Sequence, residues 1–386
     1  MVFLSFSLTA FGMSYMELKK HTLKHAKVLQ SQALLVQQRQ KENDITLRTP
    51  NPTLELEAGY YNPDFEDSGY GYKIAASQQV RTSSYFDALQ RKTDAQIQLS
   101  KAYMKEHKAK YIKLLEDTYT EYVYQSKMLT LLKEELTLSS KMTRIAKERY
   151  ENGSESKVSY LQAKTQALSF KTQLHTTKQQ IHTLYYKLLA LAGISKNVSL
   201  RKRFIYAISN KTKYRNSNNV KEKILLAKER LYANELRMHK DTLTHYEIVT
   251  GIEKEPDQSI LRFGVSFPLP LQHNKQEERA LSRLKLQQLK LDRQQLSLDM
   301  KSQKQIITSS ISELSQQYHA LKVLKKEQQK LTKLLTEGYR IAQRSLLELI
   351  LAKNRLIQTK KSLLFTQKEI NHQKIALRLL QGAYND

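Results

Sequence analysis

The chain has 386 residues, no Cys, no Trp and a formal net charge of +27. The lack of Cys excludes disulfides, thiolate metal sites and a lipid-modified N-terminal Cys. Only 10 Gly and 6 Pro, with 40% hydrophobic residues, favour long uninterrupted helices that each bury one narrow stripe over a large compact globule. The charge suits nucleic acid or an anionic membrane surface, but it is not gathered in one block, which favours a long solvated helical surface.

No run of 18 apolar residues exists, so no transmembrane helix is expected. Residues 1–12 have the length of a signal-peptide apolar region, with Ala10 and Gly12 as small residues for a cleavage site, but lack a basic segment ahead of it. They read as a truncated signal peptide; the alternative is that they are no signal. Residues 15–47 read as one helix rich in Gln and Lys. His21 and His25 lie four apart on one face of it, a metal-ligand spacing that solvated side chains satisfy as well.

Thr49-Pro50-Asn51-Pro52 breaks that helix. Leu54, Leu56, Ala58 and Tyr60 then alternate with Thr53, Glu55, Glu57 and Gly59, a period of two that indicates a strand with one apolar and one polar face. After a loop at 62–69, Tyr70, Tyr72, Ile74 and Ala76 alternate on the way back, completing a β-hairpin at 53–78. Strands of that length suffice to cross a bilayer when tilted; a soluble hairpin packed on a helix is the competing reading. From Tyr85 to Tyr150 there is neither Pro nor Gly. Ile112, Leu115, Tyr119, Tyr122, Leu129 and Leu136 form a coiled-coil seam in this run, so the helix needs partners. Gly153 permits a turn, a second helix returns from about Ser156 to Ala192, and Gly193 ends it.

Residues 197–219 are polar and basic and read as a connector. The plan then recurs: a helix at 220–243, a β-hairpin at 246–269, a helix-forming run at 275–337, a turn near Gly338 and Ala342, and a last helix to Leu380. In this hairpin Tyr246, Ile248, Thr250 and Ile252 share one face, while Leu261, Phe263, Val265, Phe267 and Leu269 alternate with polar or small residues. A shift of 189 carries Tyr150 to Tyr339, Ser156 to Ser345, Val158 to Leu347, Leu161 to Ile350, Ala163 to Ala352 and Gly193 to Gly382. A gapless register over roughly 65 residues marks an internal tandem repeat. The expected domains are therefore 13–196 and 220–386, joined by 197–219.

This order of helix, strand hairpin, long helix, tip turn and returning helix, given twice, resembles the TolC-type outer-membrane efflux proteins over essentially the whole chain. Its most specific pieces are Gly264-Val265-Ser266-Phe267-Pro268-Leu269-Pro270-Leu271, Glu148-Arg149-Tyr150-Glu151-Asn152-Gly153 and the tip from Tyr339 to Ala352. Ser345-Leu346-Leu347-Glu348-Leu349 is similar to the heavy-metal-efflux branch. Ala342 departs from the pattern, standing where the second tip usually has Gly. The expected fold is mixed and mostly α: long coiled-coil helical hairpins plus two β-hairpins, assembling as a trimeric α-barrel/β-barrel duct. Physics supports the oligomer independently. Four strands cannot close a barrel and lipid tolerates no open edge, whereas three copies supply twelve strands.

The expected membrane residues are Leu54, Leu56, Ala58, Tyr72, Ile74, Ile248, Phe263, Val265 and Phe267. The expected adaptor-docking tips are Gly153, Ser156, Val158, Leu161, Ala342, Ser345, Leu347 and Ile350. The tip side chains have a structural alternative, closing the last layer of each helical hairpin. We find no phosphate loop, no metal-ligand cluster and no catalytic constellation, so neither an enzyme nor a cofactor is expected. The resemblance implies a homotrimer in outer-membrane lipid with a periplasmic helical part. It also implies an adaptor and an inner-membrane pump as partners, and no nucleic acid. A cytosolic basic coiled-coil scaffold or nucleic-acid-binding protein is the alternative; it accounts for the charge but not for the paired amphipathic hairpins.

Overall fold

The structure, a computed structural model, describes residues 12–62, 68–208, 219–271, 274–341 and 343–384. The expected signal segment up to residue 11, the loop acids Asp64, Glu66 and Asp67, and Ala342 lie outside the described residues.

The elements run α1 (Tyr15–His25), α2 (Lys27–Leu47), β1 (Thr53–Tyr61), β2 (Gly69–Arg81), α3 (Ser83–Glu151), α4 (Lys157–Ala192), α5 (Val220–Met238), β3 (His245–Lys254), β4 (Ser259–Ser266), α6 (Gln276–Arg340) and α7 (Leu346–Leu380). They divide into two compact units. The first comprises Met1–Gln30, His107–Asn219 and Asp299–Asp386; the second comprises Ser31–Glu106 and Val220–Leu298.

In the first unit, the α3 seam buries Leu115 and Tyr119 with Tyr122 and Val123 against Tyr15 and Leu18 of α1, and Leu188 and Ala192 of α4. Leu200 and Phe204 complete this core. The segment expected as a polar connector thus packs inward over its first half, and Leu200 forms a parallel bridge with Met13. Further along α3 the seam drifts. Met128, Leu131 and Leu132 are buried with Phe170 and Ile357, while the expected Leu129 and Leu136 are half-buried. A straight helix turns about 20° per heptad against a strict seven-residue repeat, so different positions come to face the partners.

The expected single helix over 15–47 is two helices. Ala26 adopts an extended conformation between them and is buried. Gly193, the left-handed cap of α4 at φ 66°, lies so close that a side chain there would meet the His25 carbonyl at 2.9 Å. Small residues at both places allow this approach. His21 Nδ1 lies 3.1 Å from the Ala192 carbonyl, so this ring serves the C-terminal end of α4.

The second unit holds one antiparallel sheet in the order β1-β2-β3-β4. Its helices are tied by polar contacts: Asn43 donates to the Thr93 carbonyl at 2.6 Å, Asn234 donates to the Arg91 carbonyl at 3.0 Å, and Glu235 lies between Lys92 and Lys285. Ala88, Leu89 and Met238 form a small core beside Leu47 and Tyr85.

Candidate membrane sheet and docking tips

The sheet register decides what each face of the second unit carries. Leu54 faces Ala76, Leu56 faces Ile74, Ala58 faces Tyr72 and Tyr60 faces Tyr70. Ile74 also faces Ile252, and Thr250 faces Ala76. Across the last pair, Ile248 meets Val265, Thr250 meets Phe263 and Ile252 meets Leu261. The alternation therefore gathers most of the apolar side chains of the four strands on one face. That face is uncovered: Leu56 is 69% and Phe263 76% exposed, and Leu54, Ala58, Tyr72, Ile74, Ile248 and Val265 are exposed with them. Tyr60 and Tyr70 meet edge to face at 5.1 Å where β1 and β2 approach their loop.

The opposite face is polar. Lys73 Nζ lies 2.8 Å from Glu55 and 3.4 Å from Glu57, and Arg262 Nε donates to Glu253 at 2.8 Å. It is also crowded: a side chain at Gly71 would meet the Lys254 carbonyl at 2.7 Å, and one at Gly251 the Ile74 carbonyl at 2.9 Å. Glycine on one face lets strands close in on that side. The geometry is apolar and open on one side, polar and narrow on the other. β1 and β4 each pair on one side only. Phe267, expected in the strand, lies just beyond β4 and stays exposed; Pro268 follows it and cannot donate to a ladder.

The tips belong to the first unit. Gly153 has φ 74°, a left-handed conformation favouring glycine, with open space around it. Ser156 and Ser345 are N-caps: their hydroxyls accept from the Ser159 amide at 3.1 Å and the Glu348 amide at 3.2 Å. The sequence reading placed both serines beside the turns and missed this role, although Ser345-x-x-Glu348 carries the usual spacing. The offset of 189 that relates the caps also relates Gly193 to Gly382, both at positive φ.

The tips also pack within one chain. Met142, Ala146 and Ala163 join Tyr339, Leu346 and Leu349 in one cluster. Arg149 donates to the Tyr339 carbonyl at 2.8 Å and lies over its ring at 4.1 Å. Leu346 and Leu349 close this layer, leaving Leu347 exposed and Ile350 half-buried. Val158 and Leu161 are exposed as well. With Leu347 and Ile350 they line a groove of about 450 Å³ between the starts of α4 and α7.

Two polar nodes of the first unit escaped the sequence reading. Glu116 is buried and accepts hydrogen bonds from the hydroxyls of Tyr15, Tyr206 and Tyr384, with Lys19 3.9 Å away. Burial and the adjacent carboxylate push these three phenols far up, so they remain protonated donors. One carboxylate thus gathers the N-terminal helix, the connector and the C-terminal segment onto α3. Beside it, His372 Nδ1 lies 2.8 Å from Asp117, and Nε2 lies 3.9 Å from Glu121. Burial disfavours the imidazolium, but Asp117 and Glu121 outweigh it and push the histidine up to about 9. Burial likewise opposes the Asp117 charge, yet the His372 and Lys113 hydrogen bonds hold that carboxyl below its usual range. A Glu next to Leu115 and three before Tyr119 was the available signal: a carboxylate on the apolar seam needs buried partners. Among the described residues, no group of three or more His, Cys, Asp or Glu is placed to hold a metal.

The four-stranded amphipathic sheet with unpaired edges and the long paired helices together define the fold class. The solved structures agree on the fold. VceC of Vibrio cholerae matches with a TM-score of 0.79 at 14% identity, over 95% of each chain. The CmeC channel of Campylobacter jejuni matches at 0.78 and 12% identity, over 95% of this chain and 85% of that one. CusC matches at 0.76 and 14% identity, over 98% and 95%. Residues 18–194, the first repeat, match the outer membrane efflux protein family. No curated protein sequence matches the chain. The chain shares the fold of these channels throughout, and residues 18–194 are similar to the outer membrane efflux protein family.

Proposed function

We propose that the chain is the outer-membrane component of a tripartite efflux system, a passive exit duct of three copies. An inner-membrane pump would supply the energy and a periplasmic adaptor would join the two. The single observation that carries this reading is the sheet: fourteen positions in mutual register present apolar side chains or Thr250 to open space, while the reverse face holds ion pairs. Only a lipid surround makes that arrangement favourable over four strands at once, and only further copies satisfy the free edges of β1 and β4. The membrane residues are then those of the open face, and the tip residues at the starts of α4 and α7 are those that meet the adaptor. Twelve strands from three copies close one barrel.

The test is fractionation followed by reconstitution. The chain is expected in the outer membrane as a trimer that conducts ions in planar bilayers. Recovery in the soluble fraction or with the nucleoid would replace this reading with the basic scaffold.

A further inference from the structure

The histidine pair that stands out by its spacing on α1 has no part in the exit-duct reading. Of the ten His in the chain, His21 and His25 are the only two within four residues of each other. One turn apart, they share a face of the helix. Their rings lie side by side, with centroids 4.4 Å apart and planes inclined at 32°. His21 Nδ1 lies 3.1 Å from the Ala192 carbonyl. A carbonyl only accepts, so Nδ1 carries the proton and a neutral His21 keeps its lone pair on Nε2. The His25 ring is exposed, and among the described residues no hydrogen bond or ion pair engages it. Partial desolvation, the neighbouring His21 and the charges of Lys24 and Lys27 hold His25 below its usual range, which leaves it neutral at pH 7.

The backbone beneath both rings is fixed. α1 ends at His25 and α4 at Ala192. The His25 carbonyl lies 2.9 Å from where a side chain on Gly193 would begin, so the two helix ends touch. Each C-terminal end carries partial negative charge, which favours a cation and opposes the repulsion of Lys24 and Lys27. A ring oriented by a backbone carbonyl on one nitrogen leaves the other free for a metal. Two such rings one helical turn apart form a chelate. We infer that His21 and His25 bind a divalent transition-metal ion of the imidazole-preferring class, such as Zn²⁺, Cu²⁺ or Ni²⁺, with water completing its coordination. Bound there, the ion staples the last turn of α1 where it meets the end of α4. Mg²⁺ and Ca²⁺ take oxygen donors and do not suit this pair. Two protein ligands hold the ion more weakly than the four of a closed structural zinc site. Both ligands come from one chain, so the donor set does not depend on how copies assemble or on what covers this helix end, and the site stands whether or not the exit-duct reading does.

The full-length protein in detergent, carrying no histidine tag, is titrated with Zn²⁺, Cu²⁺, Ni²⁺ and Mg²⁺ by calorimetry, and bound metal is counted per chain after dialysis. One transition-metal ion per chain is expected to bind and to raise the melting temperature, with Mg²⁺ inert. His21→Ala and His25→Ala should each weaken binding by roughly tenfold or more and abolish the metal-induced rise. His25→Ala removes an exposed ring, so its metal-free melt should match the wild type, which separates lost ligation from lost folding. The double variant His175→Ala/His182→Ala removes two histidines seven apart and should bind as the wild type does. Wild-type protein that binds none of the three transition metals overturns the inference. So does unchanged affinity in either His21→Ala or His25→Ala, or equal loss in the double variant. A stoichiometry near one ion per three chains also overturns it, because that ion would need ligands shared between copies.

Discussion

The open face of the sheet and the surroundings of Glu116 invert one another. On the sheet, Leu56, Phe263 and Val265 are exposed. In the helical unit, a carboxylate is almost wholly enclosed and three tyrosine hydroxyls converge on it. Each would be a defect where the other belongs. An apolar face that size in water invites aggregation, and a buried carboxylate without donors would be neutralised. On the exit-duct reading, the two units answer to different solvents. The inner strands of the sheet pair on both sides and the sheet presents hydrocarbon outward; the helical unit excludes water and satisfies the deep Glu116 charge internally.

The largest expected effect comes from the enclosed side. Glu116→Ala removes the acceptor shared by three tyrosine hydroxyls, those of Tyr15 and Tyr384 on buried side chains, a loss of about 3–5 kcal/mol. Chemical denaturation of purified protein should show it, with Glu116→Gln retaining part of the stability because its amide oxygen still accepts. A wild-type midpoint for the Ala variant would mean that the node is not a shared anchor.

The second effect breaks the other side of the comparison. Leu56→Lys or Val265→Lys places a charge on the open face at a cost of about 2–4 kcal/mol near the bilayer midplane. Yields of inserted trimer should fall, whereas Lys at Ser77, on the reverse face, should be tolerated. Normal yields from both face variants would deny that lipid covers this surface.

A smaller effect lies in pH. His372 is faced by Asp117 and Glu121 from α3 and by Lys368 and Glu369 from its own helix, with Lys113 on the far side of Asp117. Its value in the folded state is about 9, above the ordinary 6.5. The folded state therefore binds the proton more tightly, and its contribution is complete below pH 6.5 and lost as pH rises through 9. After allowance for partial solvent exposure this amounts to about 1–2 kcal/mol. Thermal melts at pH 6 and 9.5 should differ in the wild type and converge in His372→Gln. A loss on acidification instead would mean that the carboxylates dominate.

The smallest effect separates capping from docking at the tips. Ser156→Ala and Ser345→Ala should each cost about 1 kcal/mol of helix stability. Asp at either place keeps the cap while adding charge beside the groove. If the tips dock a partner, the Asp variants lose efflux with melting unchanged. If Ala and Asp variants both transport normally, the tips serve only the fold.

Much of this was legible in the sequence because it is periodic. Leu54 to Tyr60 and Leu261 to Val265 show the two-residue alternation of half-apolar strands, and the shift of 189 pairs both tips. What was not legible depends on groups distant in the chain. No local pattern breaks α1 from α2 at Ala26, since the break answers to Gly193. Glu116 reads as one more helical acid until Tyr206 and Tyr384 arrive from elsewhere. At the tips the pattern was legible to within one residue. Leu346 and Leu349 turn inward, and Leu347 beside them stays out, a distinction of about 100° on a helix that apolarity alone does not make.

The unpaired edges of β1 and β4 carry a genetic consequence. In a three-copy barrel every seam is made by two different copies, so one chain with a ruined edge spoils the seams it shares. A cell making equal amounts of sound and edge-damaged chains would assemble roughly one barrel in eight from sound copies alone, since closed rings mix their subunits at random. A lesion in β1 or β4 should therefore behave as dominant, poisoning the product of an intact second copy, while a lesion that merely unfolds the chain before it assembles would be recessive.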